Sequence, residues 1–125
     1  RAWLDGRGGT GDREATAILA QVRRFFENHG EARFHDWSNP DERPIINRAG
    51  VRKLDGDTWV YYVLPETFRE ELCVGYDSKV AIKVLEEAGL LVRDKNERKP
   101  AGNVRLPGIG STRCYEIRPF GEQVA

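Results

Sequence analysis

Between residues 13 and 29, Ala17, Ile18, Val22, Phe25 and Phe26 recur at helical spacing, with Arg23, Arg24 and Glu27 on the opposite side. That stripe predicts an amphipathic helix over 13–29. Asp12 is the better cap for its start, because a side-chain oxygen satisfies the first free N–H groups. Gly30 fits its stop. The period then breaks. Phe34 and Trp37 form a short apolar interruption, and Ser38-Asn39-Pro40-Asp41-Glu42-Arg43-Pro44 reads as turn. Two strands are predicted next, at about Ile45–Lys53 and Thr58–Leu64. Leu54-Asp55-Gly56-Asp57 joins them, and Asp-Gly is a strong hairpin signal because glycine accepts the left-handed backbone of a tight turn. The second run is dense in β-branched and aromatic residues.

Helical spacing returns at Pro65-Glu66, where proline suits the first turn and the carboxylate suits the positive end of the helix dipole. Phe68 and Leu72 face inward at i, i+4. Val74-Gly75-Tyr76 makes a turn, Asp77 or Ser78 caps a second helix, and Val80, Ala81, Val84, Leu85 and Ala88 form its stripe up to Gly89. A short strand follows at Leu90–Arg93, then a polar loop over 94–102, a strand at Asn103–Leu106, a turn at Pro107-Gly108-Ile109-Gly110 and a last strand at Thr112–Ile117. No internal repeat is visible. This order matches a helix-turn-helix followed by a β-wing. The expected fold class is therefore α+β: a winged helix over 13–118 with an additional β-hairpin after the first helix. Residues 1–12 are expected to form a flexible linker from an upstream domain, because residues 5–12 are glycine-rich and each glycine is costly to order. Residues 119–125 are expected to be a tail. The glycine run is not a phosphate-binding loop, since it has no Lys and no apolar strand before it.

Composition narrows this further. The 125 residues are 39% apolar, enough for one core. No run approaches the roughly 20 apolar residues of a membrane span, and the start lacks an apolar signal region. The sequence has no Met, which predicts a piece of a longer protein. Cys73 and Cys114 stand far apart with no metal-type spacing. Reduced thiols in a cytoplasmic protein are favoured over a disulfide. His29 and His35 have no Cys or acidic neighbour in ligand register, so no metal and no other cofactor is expected. Formal net charge is zero, but its distribution is uneven. Residues 43–53 hold four basic residues and no carboxylate, residues 91–118 hold seven against three, and residues 54–90 hold three against eight. Such clustering creates a local positive field on a neutral chain. Solvated charged loops would give the same count.

In a helix-turn-helix the second helix reads bases. Here its exposed positions are Lys79, Lys83, Glu86 and Glu87, with Ile82 at the margin. Without Arg, Asn or Gln it has no bidentate base reader, so binding by phosphates and shape is expected instead. The wing is better supplied, with Arg93, Lys95, Arg98, Lys99, Arg105 and Arg113. Its Pro107–Thr112 turn is either a plain hairpin turn or an anion nest of backbone N–H groups. In the first hairpin, Arg48, Arg52 and Lys53, with Arg43 and Asn47 nearby, are placed to meet a nucleic-acid backbone or a single-stranded base. Trp59 and Tyr61 are read as core before stacking platform, with Tyr62 on the opposite face. No nucleophile elbow or zincin motif is present, and Glu66, Glu70 and Glu71 read as a helix surface, so no catalytic residue is expected.

Four runs carry a resemblance: Asn47-Arg48-Ala49-Gly50; Tyr61 through Arg69; Leu85-Glu86-Glu87-Ala88-Gly89-Leu90-Leu91; and Arg105-Leu106-Pro107-Gly108-Ile109-Gly110-Ser111-Thr112-Arg113-Cys114-Tyr115. Over roughly residues 5–118 the chain resembles the C-terminal region of a family still labelled a domain of unknown function. The members of that family are helicase-like ATPases of plasmids, phages and integrative elements, often with a primase-type Toprim domain. The layout is more weakly similar to the C-terminal domain of conjugative relaxases. The resemblance implies a parent protein in replication or transfer of mobile DNA, with ATPase motifs upstream, and assigns no catalytic residue here. The expected function is non-catalytic DNA binding, single- or double-stranded, through Arg48, Arg52, Lys53, Lys79, Lys83, Arg93, Arg98, Lys99, Arg105 and Arg113. Upstream domains of the parent are the other expected partners, with no membrane and no small-molecule substrate. The rival expectation is a protein-protein docking module for the parent ATPase or for a replication or conjugation partner.

Overall fold

A computed structural model describes residues 8–39, 48–93 and 99–119. The first apolar stripe folds as α1 (Gly8–His29) and buries Ile18, Val22, Phe25 and Phe26. α1 begins five residues earlier than expected, so residues 8–12 are helix rather than linker and Asp12 is not a cap. Once Ile18 and Val22 are anchored, each residue added upstream gains a backbone hydrogen bond, and this outweighs a glycine penalty of about 1 kcal/mol per residue. Residues 1–7, the other part of that expected linker, lie outside the described residues. So do residues 45–47 of the expected strand, residues 94–98 of the polar loop and residues 120–125 of the tail.

Among the described residues six strands form one sheet. They are β1 (Phe34–Asp36), β2 (Gly50–Asp55), β3 (Thr58–Val63), β4 (Leu91–Val92), β5 (Ala101–Leu106) and β6 (Gly110–Ile117). β1 replaces the expected apolar interruption. It pairs parallel to β2, with Phe34 opposite Gly50. The three-residue stretch is too short to show a period, so only its partner makes it a strand. β2 and β3 pair from Gly50 with Val63 to Asp55 with Thr58 and leave Gly56-Asp57 as a two-residue turn, with Gly56 at φ 66°. Gly50 is required by close approach, because a Cβ there would lie 1.9 Å from the Tyr62 carbonyl oxygen.

Between β3 and β4 stand two helical segments. α2 (Pro65–Thr67) runs into a π-helical turn, Phe68–Leu72, which closes with Cys73 N–H donating to Phe68 O at 3.0 Å. α3 (Ser78–Glu87) is capped by Asp77, whose Oδ1 accepts from Lys79 N–H at 2.8 Å. Its other end is sealed as the Gly89 pattern predicted. Gly89 N–H donates to Glu86 O and Leu90 N–H to Leu85 O, and both leucines are buried. The Gln21 side-chain amide ties α1 to the turn between the helices by donating to Leu72 O and Val74 O.

The described residues thus form an α+β fold on one six-stranded sheet. Its order is β1-β2-β3-β6-β4, with β5 also on β6, beside β4. Two clusters occupy its two faces. The larger joins α1, the π-helical turn and α3 to the sheet through Phe26, Phe34, Tyr61, Phe68, Leu85 and Ile117. Phe68 and Tyr115 stack there with ring centroids 3.9 Å apart. The smaller consists of Val51, Leu106 and Cys114, flanked by half-buried Trp37, Tyr62, Leu64, Val104 and Ile109. Trp37 follows β1 at one edge of the sheet and Ile109 sits beyond β5 at the other. Their sharing a cluster means that the sheet curls until its edges approach each other.

Candidate nucleic-acid interface

Trp37 is placed by backbone bonds. Its N–H donates to Arg52 O at 2.7 Å and extends the β1–β2 pairing by one residue. Asp36 then turns the chain. Its Oδ1 accepts from Ser38 N–H at 2.9 Å and from Ser38 Oγ at 2.8 Å, an Asx turn with the Trp at its centre. Those two bonds hold the Asp36 carboxyl below the usual carboxylate range, so the turn stays ionised at neutral pH. Tyr62 packs on the indole with centroids 5.4 Å apart.

The wing turn faces this ring. Trp37, Arg105, Leu106, Pro107, Gly108, Ile109 and Gly110 line an open groove of about 490 Å³. Gly108 and Gly110 adopt φ of 79° and 101°, which only glycine takes without strain. Ile109 N–H is spent inside the turn, on Leu106 O at 3.1 Å. The Lys53 Nζ sits 4.8 Å from the Trp37 ring centroid. A cation on an exposed ring contributes about 0.5–1 kcal/mol. A nucleobase stacked on an aromatic contributes about 1–3 kcal/mol, so a base is the stronger occupant of that ring.

The expected site residues separate into three groups. Arg105 lines the groove and Lys53 lies over its Trp37 ring, so one member of each basic stretch borders the same site. Lys79 and Lys83 are exposed on α3, which packs on the other face of the sheet, and Lys99 is exposed just before β5. Among the described residues, Lys79, Lys83, Lys99 and Arg105 form no ion pair. The third group is engaged within the fold. Arg48 Nη1 lies 3.4 Å from His35 Nδ1, and the Arg52 guanidinium lies 4.0 Å from the Trp59 ring centroid. Arg93 pairs with Glu86, with Nε–Oε2 at 2.8 Å, and Arg113 donates to Ala101 O at 2.9 Å across the wing. A guanidinium offers five donors in a fixed fork, so a nearby carboxylate or carbonyl captures it readily. Arg98, with Arg43, Asn47 and Lys95, lies outside the described residues.

Trp59 and Tyr61 belong to the larger core, with Tyr61 buried and Trp59 half-buried beneath Arg52, and Tyr62 takes the opposite face. Trp37 was not among the expected site residues. The signal that marks it is a lone aromatic inside Asp36-Trp37-Ser38-Asn39, a composition that favours an Asx turn. A second polar pocket of about 170 Å³ is lined by Arg33, Arg48, Glu66, Thr67, Glu70 and Glu71. Arg33 makes a bidentate pair with Glu71 across it, and this holds the Glu71 carboxyl below its usual range.

Cys73 and Cys114 are free and buried in different clusters, on opposite faces of the sheet, and burial pushes both thiols up to about 12. Thiols that resist ionisation are poor nucleophiles. Among the described residues no group of three His, Cys, Asp or Glu side chains is placed to hold a metal ion. None of their helices is long and apolar enough to cross a membrane. No family model, curated protein or solved structure matches this chain.

Proposed function

We propose that this chain is a non-catalytic, winged-helix-type nucleic-acid-binding domain that acts in the cytoplasm and helps a mobile-element helicase or primase hold DNA. The observation that carries the reading is the groove that Arg105, from one basic stretch, lines together with Trp37, whose ring lies under Lys53, from the other. Connectivity supports the winged-helix part. A strand, β3, precedes a helix-turn-helix formed by α2 and α3, and the hairpin β5–β6 that follows returns its second strand to pair with β3. The resemblance of the Arg105–Tyr115 run to the mobile-element ATPases supports the parent protein. Affinity comes from phosphate contacts by mobile cations, because α3 presents no bidentate base reader.

The test is a titration of labelled duplex and single-stranded DNA at several salt concentrations. Binding should weaken with salt, and Arg105→Ala should lower the slope of log K against log salt by about 1. Lys53→Ala should act in the same direction. Arg113→Ala is a poor probe, because it also removes the bond to Ala101 O. Absence of binding at low salt would overturn the reading. It would favour the rival, a protein-docking module, for which the observation is exposed Val74 and Val80, 55% and 37% accessible, at the turn and second helix.

A further inference from the structure

We infer that the Trp37 groove is a binding site for single-stranded nucleic acid, with an unpaired base on the indole and its phosphate held by Arg105 and Lys53. This deepens the proposed function and rests on it. The groove's walls decide the class of ligand. An indole, Pro107 and Ile109 offer apolar surface to something flat, and exposed Arg105 and Lys53 bring positive charge beside it. Duplex DNA presents phosphates and groove edges while its base faces are buried in the stack, so it reaches these cations but has nothing to put between the walls. An unpaired nucleotide supplies both parts, a π-face and an adjoining anion.

The local geometry fits that order of events. Trp37 is held by its bond to Arg52 O and by the Asp36 turn, so little ordering of its backbone remains to be done on binding. The Lys53 ammonium that covers the ring is on an exposed, flexible side chain, and a stacked base is the stronger partner for the indole. The groove's volume, about 490 Å³, lies within the roughly 300–1,000 Å³ of sites that enclose small ligands.

The experiment uses the full chain with labelled dT12 and a 12-base-pair duplex, at low and moderate salt. Trp37→Ala should weaken dT12 binding by roughly 5- to 150-fold, the range of one stacked base, and weaken duplex binding less. A Trp3→Phe, Trp59→Phe chain keeps only the indole of Trp37, and its fluorescence should be quenched by dT12 and not by the duplex. This readout stands even where Trp37→Ala perturbs folding. Duplex binding that depends on Arg105, together with dT12 binding indifferent to Trp37 and no quenching, would overturn this inference and leave the proposed function in place. Failure of both DNAs to bind would remove both. Displacement of dT12 by free dTMP at equal base concentration would overturn the claim that a strand, rather than a lone nucleotide, is the ligand.

Discussion

On the face of the sheet that carries the helices, Phe34, Phe68, Leu72, Leu85 and Ile117 are sealed from water, each 1% exposed or less. Across the sheet, Val51, Leu106 and Cys114 are equally dry, yet the residues around them, Trp37, Tyr62, Val104 and Ile109, remain half-exposed. The same alternation of inward and outward side chains feeds both faces. What differs is the cover. Three helical segments close the first face, whereas the second is closed by the sheet's own curl, which leaves a groove at its seam. Apolar surface that is buried stabilises the fold, and apolar surface left open beside unpaired cations is available to a ligand.

Substitutions test that division. The largest effect is expected at Phe68, whose truncation to Ala should cost about 3–5 kcal/mol and shift the urea midpoint accordingly. Val104→Ala, on the second face, should cost only about 0.8 kcal/mol, since it removes two half-exposed carbons. Equal costs would mean that the second face is as tightly packed as the first. Next comes Gly50→Ala. The new methyl meets the Tyr62 backbone, so a loss of about 1–3 kcal/mol is expected. Its NMR signature would be altered β1–β2–β3 pairing.

A pH-dependent effect concerns the thiols, one in each cluster. Cys73 and Cys114 are neutral in the fold up to about pH 12 but ionise near 9 once exposed. A pKa raised by folding favours the native state below the unfolded value, so this contribution is present below about pH 9 and is lost as pH rises from there towards 12. Urea midpoints between pH 8 and 10.5 should fall less in a Cys73→Ala, Cys114→Ala chain. Faster native-state labelling of Cys114 than of Cys73 would show that the curled seam opens more readily than the helical face. The smallest effect is expected for Glu71→Gln. This pair is solvent-exposed, so breaking it should cost about 0.2–1 kcal/mol. The lowered pKa places its contribution above the usual carboxylate range, to be lost as pH falls through the lowered value. Thermal melts at pH 7 and pH 3 check both statements.

Much of the secondary structure was legible because it rests on local chemistry. The α1 stripe, the Asp55-Gly56-Asp57 hairpin, the Asp77 cap, the Gly89 stop and the wing strands all follow from residues within one turn or one register of each other. β1 was not legible, since three residues show no period and the strand exists only against β2. Val80 belongs to the same apolar stripe as Ala81 and Leu85, yet it is 37% exposed while they are fully buried.

The candidate site divides in the same way. Clustering along the chain identifies the basic stretches, because charge adds up locally whatever the fold. Which cations remain available is a matter of tertiary neighbours. Arg48, Arg52, Arg93 and Arg113 find His35, Trp59, Glu86 and Ala101 O, whereas Lys53 and Arg105 are left at a shared groove. That groove requires the two edges of the sheet to approach each other. Curl of this kind accumulates strand by strand and is encoded at no single residue. Local residue pattern therefore sets most of the elements and the sign of each charged stretch, whereas β1 and the place where charge and aromatic surface coincide depend on long-range packing.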